Sequence, residues 1–185
     1  MSDHHVQFVF SIPPDDISQA TYDEFYDQHV AEILAVEGYT AARRYWLAPA
    51  SSKRPDVEFP HLVIYRIDGS PAAADAALGK RYEAGEMSTT EWFGGVQWLT
   101  YDGRPLGNDG LEYPDEAYFV LSEAPTLVSE GIDKLQSYEL TPGMVTVEDH
   151  VAAGVTHGAI YEAQKPSEGE GFSYHGRAAS ATRSA

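Results

Sequence analysis

Hydrophobic and polar positions follow two different periods along the first hundred residues. Residues 6–12 (VQFVFSI), 39–48 (YTAARRYWLA), 61–68 (HLVIYRID) and 91–101 (EWFGGVQWLTY) are runs of β-branched and aromatic residues bounded by turn formers, which predicts four strands. Pro13-Pro14 closes the first, and Gly94-Gly95 predicts a weak or bulged point in the fourth. Residues 21–38, TYDEFYDQHVAEILAVEG, change to the helical period. At about 100° per residue, Tyr22, Phe25, Tyr26, Ile33 and Val36 share one stripe with His29 at its centre, while most of the acids fall off it. Thr21 and Glu24 predict a capping box, and Gly38 the stop. Residues 70–86 predict a second helix, with Ser70 at the N-cap and Pro71 in the first turn. Residues 49–60 are a polar, proline-bounded loop.

The order β-α-β-β-α-β predicts an α+β domain of the split βαβ, ferredoxin-like kind, with both helices on one face of an antiparallel sheet. The strands carry bulky groups on both faces, so the helix-free face needs a cover. A second sheet from another copy supplies it, and the expectation is a homodimer.

The first strand ending in proline, the helix segment Phe25-Tyr26-Asp27-Gln28-His29-Val30, then Gly38-Tyr39 and Ala42-Arg43-Arg44-Tyr45, resemble the dimeric α/β barrel superfamily, and within it the EthD-like branch. HLVIYRID resembles that branch's third strand. The resemblance spans residues 6–103 and departs at Glu37, where a proline is common before the glycine. It implies a ferredoxin-like βαββαβ subunit, a sheet-to-sheet dimer and a pocket between helices and sheet. It implies no single activity, since relatives include cofactor-free monooxygenases, polyketide cyclases, dehydratases and decarboxylases. Some barrel relatives bind haem, for which no residue here argues.

The domain reading is 1–105 for this barrel unit, 106–165 for an extension or truncated second repeat, and 166–185 for a flexible Gly/Ser/Ala-rich tail. Two echoes argue for the repeat. Residues 118–122 (YFVLS) resemble residues 7–11 (QFVFS), and 157–161 (HGAIY) resembles 61–65 (HLVIY). The spacing between the echoes is too short for a complete second unit, and an appendage of strands packed on the barrel is the alternative.

Composition narrows the function classes. A hydrophobic content of 43% over 185 residues supports a real core. A formal net charge of -17 argues against nucleic acid and anionic membrane surfaces, both of which need basic patches. No cysteine is present, which removes disulfides, thiolate metal sites and a thiol nucleophile. The start, MSDHHVQF, has no signal-peptide pattern and no apolar run approaches the roughly 18 residues of a membrane helix, so the expected location is cytoplasmic. The seven histidines show no HxH, HExxH or facial-triad spacing, so no metal is expected, and no nucleotide-binding or hydrolase motif is present. Twelve tyrosines and three tryptophans suit an aromatic-lined cavity or an interface.

His29 is the candidate general acid/base, because imidazole titrates near neutrality and this one sits on a face that should meet a sheet. The competing reading is a core histidine satisfied by its neighbours. Tyr26, nearly on the same face, is the second catalytic candidate. Tyr22, Arg44, Tyr45, His61, Tyr65, Trp92 and Trp98 are the candidate substrate-binding residues, with Tyr101 a further cavity-wall candidate. Arg43 and Arg44 alternate across their strand, so only one can face the helices. The expected function is a cofactor-independent lyase, cyclase or isomerase acting on a hydrophobic aromatic or polyketide-like carbonyl compound. A cofactor-free monooxygenase acting on a phenol and a non-catalytic small-molecule binder are the alternatives.

Overall fold

A computed structural model describes residues 4–48, 59–107, 113–122, 134–146, 155–162, 172–179 and 183–184. Its elements, in order, are β1 (His4–Ile12), α1 (Gln19–Leu34), β2 (Tyr39–Leu47), β3 (His61–Asp68), α2 (Pro71–Glu83), β4 (Gln97–Pro105), β5 (Glu116–Ser122), β6 (Lys134–Val145), β7 (His157–Glu162), β8 (Phe172–Ala178) and the short β9 (Arg183–Ser184). Among the described residues no helix is long and apolar enough to cross a membrane.

The expectation of a ferredoxin-like βαββαβ α+β fold that becomes a dimeric α/β barrel is overturned. The strands form one antiparallel sheet in the order β3-β1-β4-β6-β7-β5-β8-β2, and β2 pairs back onto β3 to close it. The result is an eight-stranded β-barrel within a single chain, with two α-helices outside it among the described residues. The sheet face that seemed to need a second copy is turned inward and covered by β5–β8. The physical argument for a homodimer, an uncovered apolar face, therefore no longer applies.

Alternation along the strands explains the closure. Val6, Phe8 and Phe10 of β1, Leu62 and Ile64 of β3, and Leu99 and Tyr101 of β4 point into the barrel. There they meet Phe119 and Leu121 of β5, Tyr138 and Leu140 of β6, Ile160 of β7 and Tyr174 of β8. Eight strands give an interior just wide enough for side chains to fill. Glycine is used where the filling is tightest: a Cβ on Gly176 would come within 2.6 Å of the Phe119 ring. The outward residues of β2 and β3, among them Ala42, Val63, Tyr65 and Ile67, form a second core with α1 and α2. β3 is buried on both faces, which is why HLVIYRID is apolar almost without alternation.

The two echoes fall on equivalent positions. β1 pairs with β3 with Ser11 opposite His61 and Gln7 opposite Tyr65; β5 pairs with β7 with Ser122 opposite His157 and Tyr118 opposite Tyr161. Each half orders its four strands alike, as β2-β3-β1-β4 and β6-β7-β5-β8.

Several boundaries differ from those read in the sequence. α1 begins at Gln19 rather than Thr21, because Ser18 is the N-cap and its hydroxyl accepts from the Thr21 amide. The fourth strand starts at Gln97; residues 93–95 form a single 3-10 turn that the glycines permit. Residues 172–178, expected in the flexible tail, are β8, whose pairing with both β5 and β2 completes the barrel. The remainder of the expected tail, apart from 179 and 183–184, lies outside the described residues, as does most of the 49–60 loop.

Candidate functional site

The outer layer, between the two helices and the barrel wall, encloses a cavity of about 430 Å³. β1, β3 and β4 form its floor through Gln7, Val9, Tyr65, Trp98, Thr100 and Asp102. α1 contributes Tyr26, His29 and Ile33 at one side, and α2 contributes Asp75, Leu78 and Tyr82 at the other. Tyr39, Phe93 and the β6 residues Gly143 and Met144 complete it. The start of α2 lies close to the turn between α1 and β2. Gly38, at φ 98°, sits against Ala74, and a Cβ there would approach the Ala74 Cβ to 2.9 Å. That contact packs the first turn of α2 tightly, and its later turns bring Leu78 and Tyr82 to the cavity, where Tyr82 meets His29 of α1.

His29 is 3% exposed. Its Nε2 lies 3.1 Å from the Tyr82 hydroxyl, while its Nδ1 is buried without a hydrogen bond and stands 4.0 Å from Glu32 Oε2. The ring stacks on Phe25 at 5.1 Å. Burial pushes the imidazole pKa down to about 4, partly opposed by the Glu32 carboxylate, so His29 is neutral at neutral pH. Glu32 is itself fixed by the Ser88 amide and hydroxyl and by Gln28. Its charge favours the tautomer with the proton on Nδ1, which leaves the Nε2 lone pair to receive the Tyr82 O–H. Burial also pushes the Tyr82 phenol up to about 12.

Tyr26 lies one turn before His29, with its ring edge toward the imidazole at 5.7 Å. Its hydroxyl is buried without a partner in hydrogen-bonding geometry, although the Tyr22 phenol is near enough to influence it. Burial, reinforced by the neighbouring phenols, raises its pKa well above the ordinary value. Unpaired buried polar atoms are uncommon in native proteins. Here two of them, Tyr26 Oη and His29 Nδ1, belong to neighbouring residues that line one cavity.

Of the residues singled out in the sequence, Tyr26, His29, Tyr65 and Trp98 meet in this cavity. Tyr22, His61 and Trp92 pack behind it: Tyr22 is held by Ser11 at 2.7 Å, stacks on His61 at 4.4 Å and lies 5.9 Å from Trp92. Both His61 ring nitrogens are buried without partners, and burial pushes its pKa down to about 4. Arg44 faces the helices rather than the barrel, yet its guanidinium is engaged by Asp23 at 2.7 Å and Asp27 at 3.0 Å and lies against the Tyr26 ring at 5.3 Å. It steadies α1 on β2 and does not line the cavity. Tyr45 and Tyr101 belong to the barrel interior, where Tyr45 donates to the Pro114 carbonyl, so neither is a wall of this site. Arg43 pairs with Asp115.

Sequence reasoning missed Tyr82, Asp75, Tyr39, Gln7 and Asp102. A signal existed for the first two: Asp75, Leu78 and Tyr82 recur at helical spacing along α2. The floor residues Gln7 and Asp102 are opposite one another in the β1–β4 register, which no local pattern reveals.

No family model matches the chain, and no curated protein matches it. Among the described residues no three histidine or carboxylate side chains come together as metal ligands. Beside the carboxylates of Asp75 and Asp102, the lining offers neutral hydrogen-bonding groups in an aromatic setting: phenols that donate and an imidazole that accepts.

Proposed function

We propose that this cavity is the active site of a cofactor-independent enzyme that removes and returns a proton beside the carbonyl of a small aromatic or otherwise hydrophobic molecule, the core step of lyase, cyclase and isomerase chemistry. The observation that carries the reading is the Glu32–His29–Tyr82 line, with the unpaired Tyr26 hydroxyl beside it. A histidine satisfied at both nitrogens would favour simple binding. This one is satisfied at one and lies beside two phenols.

In the proposed step the C–H next to the carbonyl gives its proton to the Tyr82 oxygen as the Tyr82 proton passes to His29 Nε2. The electron pair of the broken C–H bond moves onto the carbonyl oxygen. Tyr26 donates a hydrogen bond to that enolate oxygen. The imidazolium forms beside the Glu32 carboxylate, which offsets part of the burial that otherwise keeps His29 neutral. Phe93, Trp98 and Tyr65 keep water away from the ion pair.

Deuterium incorporation tests it without knowledge of the natural product. Aryl ketones bound by the protein are incubated in heavy water, and exchange at the carbon beside the carbonyl is followed by NMR. Wild-type protein should accelerate exchange, and His29→Gln should slow it by about 10²-fold while still binding the ketone. Equal exchange by the two proteins would overturn the proposal.

A further inference from the structure

The two helices are anchored very differently. Of the thirteen residues of α2 one, Ala74, is buried, whereas α1 buries six of its sixteen. The cavity explains the difference. It lies between α2 and the sheet, so Asp75, Leu78 and Tyr82 line open space where packed side chains would otherwise hold the helix. The ties that α2 does make are mostly polar. Asp75 accepts from Tyr39 at 2.8 Å and from Gln7 at 3.3 Å, Tyr82 pairs with His29 at 3.1 Å, and Arg81 donates to the Glu32 carbonyl at 3.5 Å. Elements with few buried apolar contacts open at the smallest cost in free energy.

We infer that α2 is a hinged lid over the cavity, swinging about its Ala74–Gly38 contact, and that its motion makes and breaks the His29–Tyr82 pair. The part given to Tyr82 rests on the proposed site; the hinge itself rests on packing. Both flanks of the helix are fixed. Before it, the Asp68 amide donates to the Gly38 carbonyl at 2.9 Å. After it, Met87 is buried in the outer core and the Ser88 amide donates to Glu32 at 2.8 Å. Between each fixed flank and the helix stands a glycine in the left-handed region, Gly69 at φ 91° and Gly85 at φ 71°, with nothing within 4 Å of where its Cβ would be. A few residues of this kind at the ends of an element absorb the backbone rotation when the element swings. Access gives the motion its purpose. Tyr26 Oη and His29 Nδ1 are buried, and His29 Nε2 is engaged by Tyr82, which rides on α2. Opening uncovers the imidazole to an entering molecule, and closing returns the Tyr82 hydroxyl to it with the molecule enclosed.

Distances between nitroxide labels, measured by double electron–electron resonance, test the hinge. The chain has no cysteine, so two introduced cysteines are the only thiols to label. One doubly labelled protein carries Lys80→Cys on α2 with Arg177→Cys on β8; the control carries Ala31→Cys on α1 with the same Arg177→Cys, and all three positions are exposed. In the free protein the α2 pair should give a distance distribution at least about twice as broad as the control, because only α2 moves against the barrel. Saturation with para-methylacetophenone should narrow the α2 distribution and leave the control as it was. An α2 distribution as narrow as the control in the free protein overturns the inference, and so does one that the bound ketone leaves broad. The comparison in the free protein needs no ligand, so it decides the hinge whatever the deuterium exchange shows. A broad α2 distribution in a protein that neither binds the ketone nor accelerates exchange would count against the proposed function alone.

Discussion

At His29 and His61, burial prevails over every other influence on the imidazole, and the consequence is a pH dependence of stability. Each has a folded pKa near 4, against an ordinary value of 6.5. Between those values the unfolded chain binds more protons than the folded one, so stability is fully present above about pH 6.5 and is lost as pH falls toward 4. The limiting contribution is on the order of 3 kcal/mol for each ring. Asp23 and Glu32 are held below the usual carboxylate range, so their acid lability lies lower on the scale. The melting temperature should fall steadily from pH 6.5 to 4.5, and the His29→Gln, His61→Gln double variant should flatten that slope. An unchanged slope in the double variant would show that neither ring is buried neutral. Tyr82→Phe is the companion test: it removes the partner of Nε2 while keeping the ring. It should leave the fold intact, at a cost of about 1 kcal/mol, and slow the proton exchange. Exchange at the wild-type rate would place the proton transfer elsewhere.

Among the elements, β8 carries the sharpest consequence. Gly176 faces Phe119, Leu47 and Tyr45 inside the barrel, and a methyl group there has no room. Gly176→Ala should destabilise by about 1–3 kcal/mol, seen as a lower midpoint in chemical unfolding. No effect would mean that residues 172–178 do not close the barrel. This strand also shows where sequence reading stopped. β1, β2, β3 and both helices are local in their signals: alternation, an unbroken apolar run in β3, a stripe, a serine before a proline. The echoes of residues 7–11 in 118–122 and of 61–65 in 157–161 were also visible, but not the pairing register that makes them equivalent. Closure was not, because it depends on β4 meeting β6 and β2 meeting β8, contacts between segments far apart in sequence. FSYHGRA lies among glycines and serines, so composition marked it as tail while its fate was decided by the open edges of β5 and β2. The candidate site divided along the same line. His29, Tyr26, Tyr65 and Trp98 were legible from helix face and strand parity. Tyr45 and Tyr101 were assigned to the wrong side because parity alone does not say which face is the barrel interior.

For the whole molecule, the intramolecular second half changes the expected assembly. β5–β8 cover the face that a partner sheet would otherwise take, and among the described residues the large exposed apolar side chains, Trp46, Leu106 and Met144, lie on three different strands or their ends. Light scattering should give the monomer mass of 20.3 kDa at micromolar concentration. A stable dimer would require an interface other than the sheet face. The central claim is the position of the site, outside the barrel and beneath the two helices. The most direct measurement follows the three tryptophan indole N–H signals in a ¹H–¹⁵N NMR titration with para-methylacetophenone. Trp98 lines the cavity, Trp92 packs behind it, and Trp46 lies outside, donating to Asp23. The Trp98 signal should move most and saturate with the ligand, while that of Trp46 stays in place. A saturable shift confined to Trp46, or saturable binding that leaves Trp98 unmoved, would contradict the account.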